Sequence, residues 1–140
     1  MSVLDDLLIE AENDEVPSST VTVALAGKLV RLKFRPLGGI QWADITAKSP
    51  ARPEAPMDRH YGYNWQAAAM KAAPLCGRVL EDDDEVKRDA ETWKKLFAKL
   101  NGPDVRSICS AIWALNDWDP QQRLEALKKA SAGDSEKKPA

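Results

Sequence analysis

The sequence predicts a mainly α-helical α+β fold in which an N-terminal β-hairpin packs on a small helical bundle. Apolar residues recur at helical spacing between positions 90 and 118, and they alternate with polar residues between 20 and 35. Asn101-Gly102-Pro103 divides the helical stretch, so an antiparallel helical hairpin is expected at the centre of the bundle. Gly102 is expected to close the first of its two helices in a left-handed conformation.

The N-terminal segment 1–16 is predicted to be an amphipathic arm followed by a linker. Ser2 and Asp5 have the spacing of a capping box, and Leu4, Leu7 and Leu8 form an apolar stripe behind it. A helix of about ten residues is marginal in water by itself, so this arm must dock on its own domain or on a partner.

A single globular domain is expected over 17–131. It begins with the hairpin, whose turn is Ala26-Gly27-Lys28, with Gly27 able to take positive φ. A lone hairpin is barely stable, so its apolar face is expected to lie on the helices or to pair with another chain. The predicted elements are the hairpin at 20–35, helices at about 40–48, 64–73, 85–100, 103–116 and 120–131, and a disordered tail at 132–140.

Three stretches between these elements need separate interpretations. Prolines at 50, 53 and 56 predict an extended loop over 49–58. Residues 75–80 fit either a last helical turn or a short strand. The acidic run 81–85 is interpreted as the N-terminal end of the helix at 85–100, because helix N-termini favour negative charge.

Composition excludes several functional classes. The net charge is −2, from 22 acidic and 20 basic residues, which argues against non-specific nucleic-acid binding. The start MSVLDDLLIE lacks the basic region of a secretory signal, and no apolar run reaches the roughly 20 residues that cross a bilayer. A cytoplasmic location without membrane contact is therefore expected. Cys76 and Cys109 are interpreted as reduced, buried thiols.

No catalytic, cofactor-binding or metal-binding residue is predicted, and the chain is not expected to be an enzyme. His60 has no recognisable nucleophile to activate, because no Gly-x-Ser-x-Gly elbow occurs and neither cysteine has an activating sequence context. The acidic run lacks the central glycine of a calcium loop, and Gly38-Gly39 is not followed by the Lys-Ser/Thr of a phosphate loop. Arg31, Lys33 and Arg35 form a basic stripe that is interpreted as a solvated strand face, with a phosphate or acidic partner as the alternative.

The remaining conspicuous residues suit protein–protein contact. Trp113 and Trp118 lie at the edge of the apolar stripe and at a helix boundary, where aromatic side chains often anchor a partner. Trp93 lies on the stripe itself and is expected in the core. The predicted partner-binding residues are Leu4, Leu7, Leu8, Trp113 and Trp118. Self-association is also predicted, because the hairpin offers an open edge.

Several motifs follow one another in a fixed order over about 20–118. A basic strand ends in FRPL at 34–37, and a short Trp-containing helix, a Pro-rich loop and an Ala-rich helix ending near Cys76 follow. The later motifs are ETWKKLF at 91–97, LNGPDV at 100–105 and IWALN at 112–116. This order resembles that of the tail assembly chaperones of long-tailed, siphovirus-type bacteriophages, in the form found in actinobacterial phages and prophages.

This resemblance implies a non-enzymatic protein that binds the tape measure protein, keeps it soluble and helps recruit tail tube subunits. It implies a location in the host cytoplasm and absence from the mature virion. Many members are made in two lengths by ribosomal frameshifting, and this chain would be the short form. The family supplies no site residue that maps onto this sequence.

Two alternatives remain open at this point. One is a different structural protein of the phage, such as a neck or connector component. The other is a small DNA-binding regulator, because two helices around a three-residue turn resemble a helix-turn-helix. The start of the second helix carries the acidic residue Asp104 and a single basic residue, Arg106. This composition suits a packed helical hairpin better than a recognition helix.

Overall fold

The computed structural model describes the backbone of residues 2–136 and the side chains of residues 2–132. It confirms the mainly α-helical α+β class. Within this range the elements are α1 (Val3–Asn13), β1 (Ser19–Leu25), β2 (Lys28–Phe34), α2 (Gly39–Ala47), α3 (Pro56–Tyr61), α4 (Trp65–Cys76), β3 (Gly77–Glu81), β4 (Asp84–Val86), α5 (Ala90–Lys99), α6 (Gly102–Trp113), a π-helical segment (Ala114–Trp118) and α7 (Asp119–Glu136).

The last helix is longer than expected. It was predicted over 120–131, and it extends from Asp119 to Glu136. The predicted disordered tail, 132–140, therefore overlaps the end of α7, and its part from 137 onwards lies outside the described residues.

The predicted N-terminal hairpin is confirmed. Strands β1 and β2 pair antiparallel with Val23 opposite Val30, and the chain reverses at Ala26 and Gly27 with φ of 52° and 74°. Two successive left-handed residues match the right-handed twist of the flanking strands, which is why this turn suits a two-residue hairpin. The alternating pattern places Val23, Leu32 and Phe34 in the core.

A second hairpin, β3–β4, extends the first into a four-stranded antiparallel sheet of order β1-β2-β3-β4. The interpretation of the acidic run as a helix start was therefore wrong. Its acids instead form the end of β3, the turn and β4. Basic side chains of β2 and of the residue after it reach them across β3, since Arg31 binds Asp83 at 3.3 Å and Arg35 binds Glu85 through two nitrogens. The helix predicted over 85–100 begins only at Ala90, after its cap.

Helix α6 packs mainly against α4 and also contacts β1. The α4–α6 pair, more than the predicted α5–α6 hairpin, is thus the centre of the helical layer. Four fully buried alanines of α4 allow this close approach: Ala68, Ala69, Ala72 and Ala73. Gly102 was expected to close the helix before it, and this prediction was wrong because Gly102 is the first residue of α6. The side chain of Asn101 caps α6 by accepting the Asp104 N–H at 2.8 Å.

Part of the predicted extended loop 49–58 is helical. Helix α3 starts at Pro56, where a proline fits because the first turn of a helix needs no N–H donor. The segment before it is held by Arg52, whose Nε and Nη2 bind the buried Asp58 carboxylate at 2.8 and 3.1 Å. These hydrogen bonds hold the pKa of Asp58 below its usual range.

Candidate functional site

An open groove of about 490 Å³ lies where α3 meets the end of α6 and the π-helical segment. We call it the aromatic groove. Its lining is almost entirely apolar or aromatic: Pro56, Met57, His60, Tyr61, Trp113 and Trp118. A concave apolar surface of this kind is typical of a site that receives apolar side chains.

The π-helical segment brings Trp113 and Trp118 together. In an α-helix, residues five apart point about 140° away from each other, because each residue turns the helix by about 100°. Between Ala114 and Trp118 the helix is wider, and the Asp119 N–H donates to the carbonyl of Ala114 five residues earlier. The rings of Trp113 and Trp118 consequently lie 6.0 Å apart, tilted by 30°.

Side chains of the π-helical segment also tie it to the rest of the fold. Asn116 accepts the backbone N–H of Leu37 at 2.8 Å and donates to the carbonyl of Ile112 at 2.9 Å. This pair of hydrogen bonds joins the π-helical segment to the chain before α2. The segment is therefore held in place from outside the helix, as wide turns near functional sites often are.

The buried hydroxyl of Tyr63 orients the ring of Trp113, which forms the floor of the aromatic groove. Tyr63 donates its O–H to Asp117 and accepts the indole N–H of Trp113 at 3.1 Å. Burial and the bond to Asp117 both raise the pKa of Tyr63 above its usual value. Because this chain of hydrogen bonds fixes the Trp113 ring, the groove presents a rigid aromatic face to a partner.

The two tryptophans contribute differently to the surface. Trp113 is half-buried and packs edge-on against Tyr61 and Trp65, with centroids 5.1 and 6.2 Å away. Trp118 is 44% exposed, which leaves a large part of its indole free to be covered by a partner. The aromatic groove thus combines a fixed floor with one exposed anchor, an arrangement common at binding hot spots.

The structure separates the five predicted partner-binding residues into two surfaces. Trp113 and Trp118 line the aromatic groove, whereas Leu4, Leu7 and Leu8 lie on α1 and are 64, 53 and 55% exposed. The predicted capping box of α1 is present, with Ser2 and Asp5 bonded reciprocally. No described residue before Ser19 is even partly buried, so α1 is undocked.

Sequence reasoning missed the other wall of the groove. Met57 and Tyr61 lie on α3, inside or just after a stretch interpreted as loop. The available signal was Pro56, which is as favourable at a helix start as it is in a loop. His60 lies at the edge of this wall, with its ring 4.8 Å from that of Tyr61.

Both cysteines are free and buried, as predicted. Burial raises the pKa of the Cys76 thiol to about 12 and that of Cys109 to about 11. Over the described part of the chain, no three His, Cys, Asp or Glu side chains are grouped so that they could hold a metal ion. None of the helices in that part is both long and apolar enough to cross a membrane.

Two other surfaces singled out in the sequence are engaged within the fold. The basic stripe faces the acids of the β3–β4 hairpin, with Lys33 3.8 Å from the Glu85 carboxylate that also binds Arg35. At the start of α6, the Asp104 carboxylate accepts the backbone N–H of Ala24 at 2.9 Å. A recognition helix would direct this end at DNA, whereas in this chain the contact fastens it to the edge strand β1.

Comparisons with known proteins identify no relative. No protein-family model, no curated protein and no solved structure matches this chain. Its function is therefore inferred from its own residues and from the geometry of the aromatic groove.

Proposed function

We propose that the protein is a tail assembly chaperone of a long-tailed bacteriophage, and that its aromatic groove binds an amphipathic helical segment of the tape measure protein. The observation that carries this proposal is the open apolar groove in which the exposed Trp118 faces Met57 and Tyr61. The resemblance of residues 20–118 to that family supports the proposal independently, because it rests on sequence motifs.

The composition of the aromatic groove suits a client of this type. An amphipathic helix presents apolar side chains at i, i+3 or i+4 and i+7, and it binds by laying this face into an apolar groove. Trp118 supplies a large contact area at little entropic cost, while the flexible side chain of Met57 can adapt to different client sequences. A chaperone of a long helical protein needs this tolerance, because it must accept many segments of one client.

The rest of the proposed role follows from the family resemblance. The chaperone keeps the tape measure protein soluble in the host cytoplasm, helps to recruit tail tube subunits around it, and leaves before the virion is complete. Recruitment of subunits along a long client requires many copies of the chaperone, which fits the predicted self-association.

The test is co-expression with the tape measure protein encoded downstream. The client is expected to be soluble and to co-purify only when this chain is present. Trp118→Ser should reduce co-purification about tenfold or more, because aromatic anchors at the centre of an interface carry at least about 2 kcal/mol. Leu29→Ser is the matched control, because Leu29 is an exposed apolar residue outside the aromatic groove.

The opposite results point to other functions. A client that is equally soluble without the chain, and does not bind it, contradicts the chaperone proposal. Recovery of the chain from purified virions would instead support a neck or connector component. A gel shift at physiological salt would support the DNA-binding alternative.

A further inference from the structure

Helix α1 carries an apolar face that no side chain among residues 2–132 covers. Leu4, Leu7 and Leu8 lie on one side of the helix, and all three are exposed. A capped helix of 11 residues is still marginal in water, because packing of its apolar face supplies most of the stability of such a helix. The face therefore requires a partner.

A second groove, separate from the aromatic groove, lies between α4 and α5 and encloses about 530 Å³. Its floor is apolar, and two lysines stand at its rim, so we call it the lysine-rimmed groove. Its lining residues are Met70, Lys71, Pro74, Ala90, Trp93, Lys94, Phe97 and Ala98. Within the described part of the chain, neither lysine forms an ion pair with a carboxylate, although the Lys71 ammonium donates to the carbonyl oxygen of Lys48 and to Ser49 Oγ at 3.1 Å.

The charges of the arm and of this groove are complementary. Residues 2–18 contain six acidic residues and no basic one, and at about 100° per residue two of the acids, Glu10 and Glu12, flank the leucine stripe on the helix. The groove rim is basic, and Lys95 and Lys99 add positive charge along the exposed side of α5. We infer that the lysine-rimmed groove binds the α1 helix of a second copy of this chain.

The dimensions fit this exchange. Helix α1 is about 16 Å long and α5 about 15 Å, since each residue of an α-helix rises about 1.5 Å. The linker 14–18 is exposed throughout, and its five residues span up to about 17 Å when extended. An arm of this length can leave its own domain and lie along α4 and α5 of a neighbour, and the reciprocal contact would form a symmetric dimer. This inference is independent of the client of the aromatic groove.

Sedimentation velocity of the full-length chain, over a concentration series, tests the inference with charge-reversed variants. The groove variant carries Lys94→Glu, and the arm variant carries Glu10→Lys and Glu12→Lys, which leave the Ser2–Asp5 capping box of α1 intact. Each variant alone should self-associate at least about tenfold more weakly than the wild type, because like charges then face each other. An equimolar mixture of the two should recover association, because each arm meets an opposite charge on the other chain.

The mixture separates exchange between chains from docking within one chain. Recovery in the mixture supports the inference, whereas two variants that stay monomeric when mixed contradict it. A wild-type chain that is monomeric at all concentrations also overturns it. Leu4→Ser/Leu7→Ser/Leu8→Ser should abolish association, and with it any dependence of the melting temperature on protein concentration, because dimerisation stabilises the folded chain. Association equal to that of the wild type would exclude α1 from the interface.

Discussion

Gly77 is a position at which β3 lies very close to α4 and α5, and its substitution by alanine tests the packing of the core. A Cβ atom at this position would lie 2.7 Å from the carbonyl oxygen of Ala73 and 2.8 Å from ring atoms of both Phe34 and Trp93. Ordinary contacts of a Cβ atom begin at about 3.4 Å. Both rings are fully buried and pack on each other with centroids 5.8 Å apart, so neither can move away freely.

The expected cost follows from these contacts. Gly77 has φ of −102° and ψ of 152°, which alanine adopts without strain, so the penalty is steric. Overpacking of a core costs about 1–3 kcal/mol, and the lower entropy of the unfolded alanine chain offsets about 0.4–1 kcal/mol of this cost. Gly77→Ala should therefore lower the free energy of unfolding by about 1–2 kcal/mol, which lowers the melting temperature by roughly 3–8 °C.

Urea denaturation followed by tryptophan fluorescence measures this change, because Trp93 is 1% exposed in the folded chain. Gly39→Ala is the matched control, because a Cβ at the start of α2 meets no non-neighbouring atom within 4 Å. This control should be neutral or should stabilise the chain by about 0.4–1 kcal/mol. Equal stability of Gly77→Ala and the wild type would refute the close packing of β3 on Phe34 and Trp93.

Three further predictions concern buried polar groups. Tyr63→Phe removes the hydroxyl that joins the Trp113 indole to the Asp117 carboxylate. Urea denaturation should show that the free energy of unfolding falls by about 1–3 kcal/mol, and an unchanged urea midpoint would contradict these hydrogen bonds. Arg52 lowers the pKa of Asp58 in the folded chain. The Arg52–Asp58 pair therefore contributes its full stabilisation above the pKa of an aspartate in the unfolded chain, about 3.9. This contribution is lost as the pH falls through the lower pKa that Asp58 has in the folded chain. The destabilisation by Asp58→Asn should accordingly shrink below pH 4, and a pH-independent difference would argue against the ion pair. Cys76 and Cys109 should react with a thiol reagent at pH 8 only after unfolding, since burial raises the pKa of both thiols.

The fold class and the local elements with strong periodicity could be predicted from the sequence. Alternation of apolar and polar residues predicts the β1–β2 hairpin, and helical spacing of apolar residues predicts α6. Both elements lie close to their predicted positions. The β3–β4 hairpin could not be predicted in the same way. Its acidic residues have low strand propensity, and the hairpin that they form is bound across β3 by Arg31 and Arg35, about 50 positions earlier.

The candidate site was predictable only in part. The aromatic character and the position of Trp113 and Trp118 indicated partner contact, but a spacing of five residues in a regular helix would have directed them to different sides. Only the wide π-helical turn makes them neighbours, and this turn is held by Asn116 and Asp117 through contacts distant in sequence. Periodicity of the local sequence contains no information about such contacts.

The most direct test of the proposed function is a binding measurement with purified components. Labelled segments that tile the tape measure protein would be titrated with the full-length chain, and fluorescence anisotropy would give the dissociation constant of each segment. We expect saturable binding of at least one amphipathic segment, weakened about tenfold or more by Trp118→Ser and unchanged by Leu29→Ser. Absence of binding by every segment, or equal binding by the Trp118 variant, would contradict the proposed function.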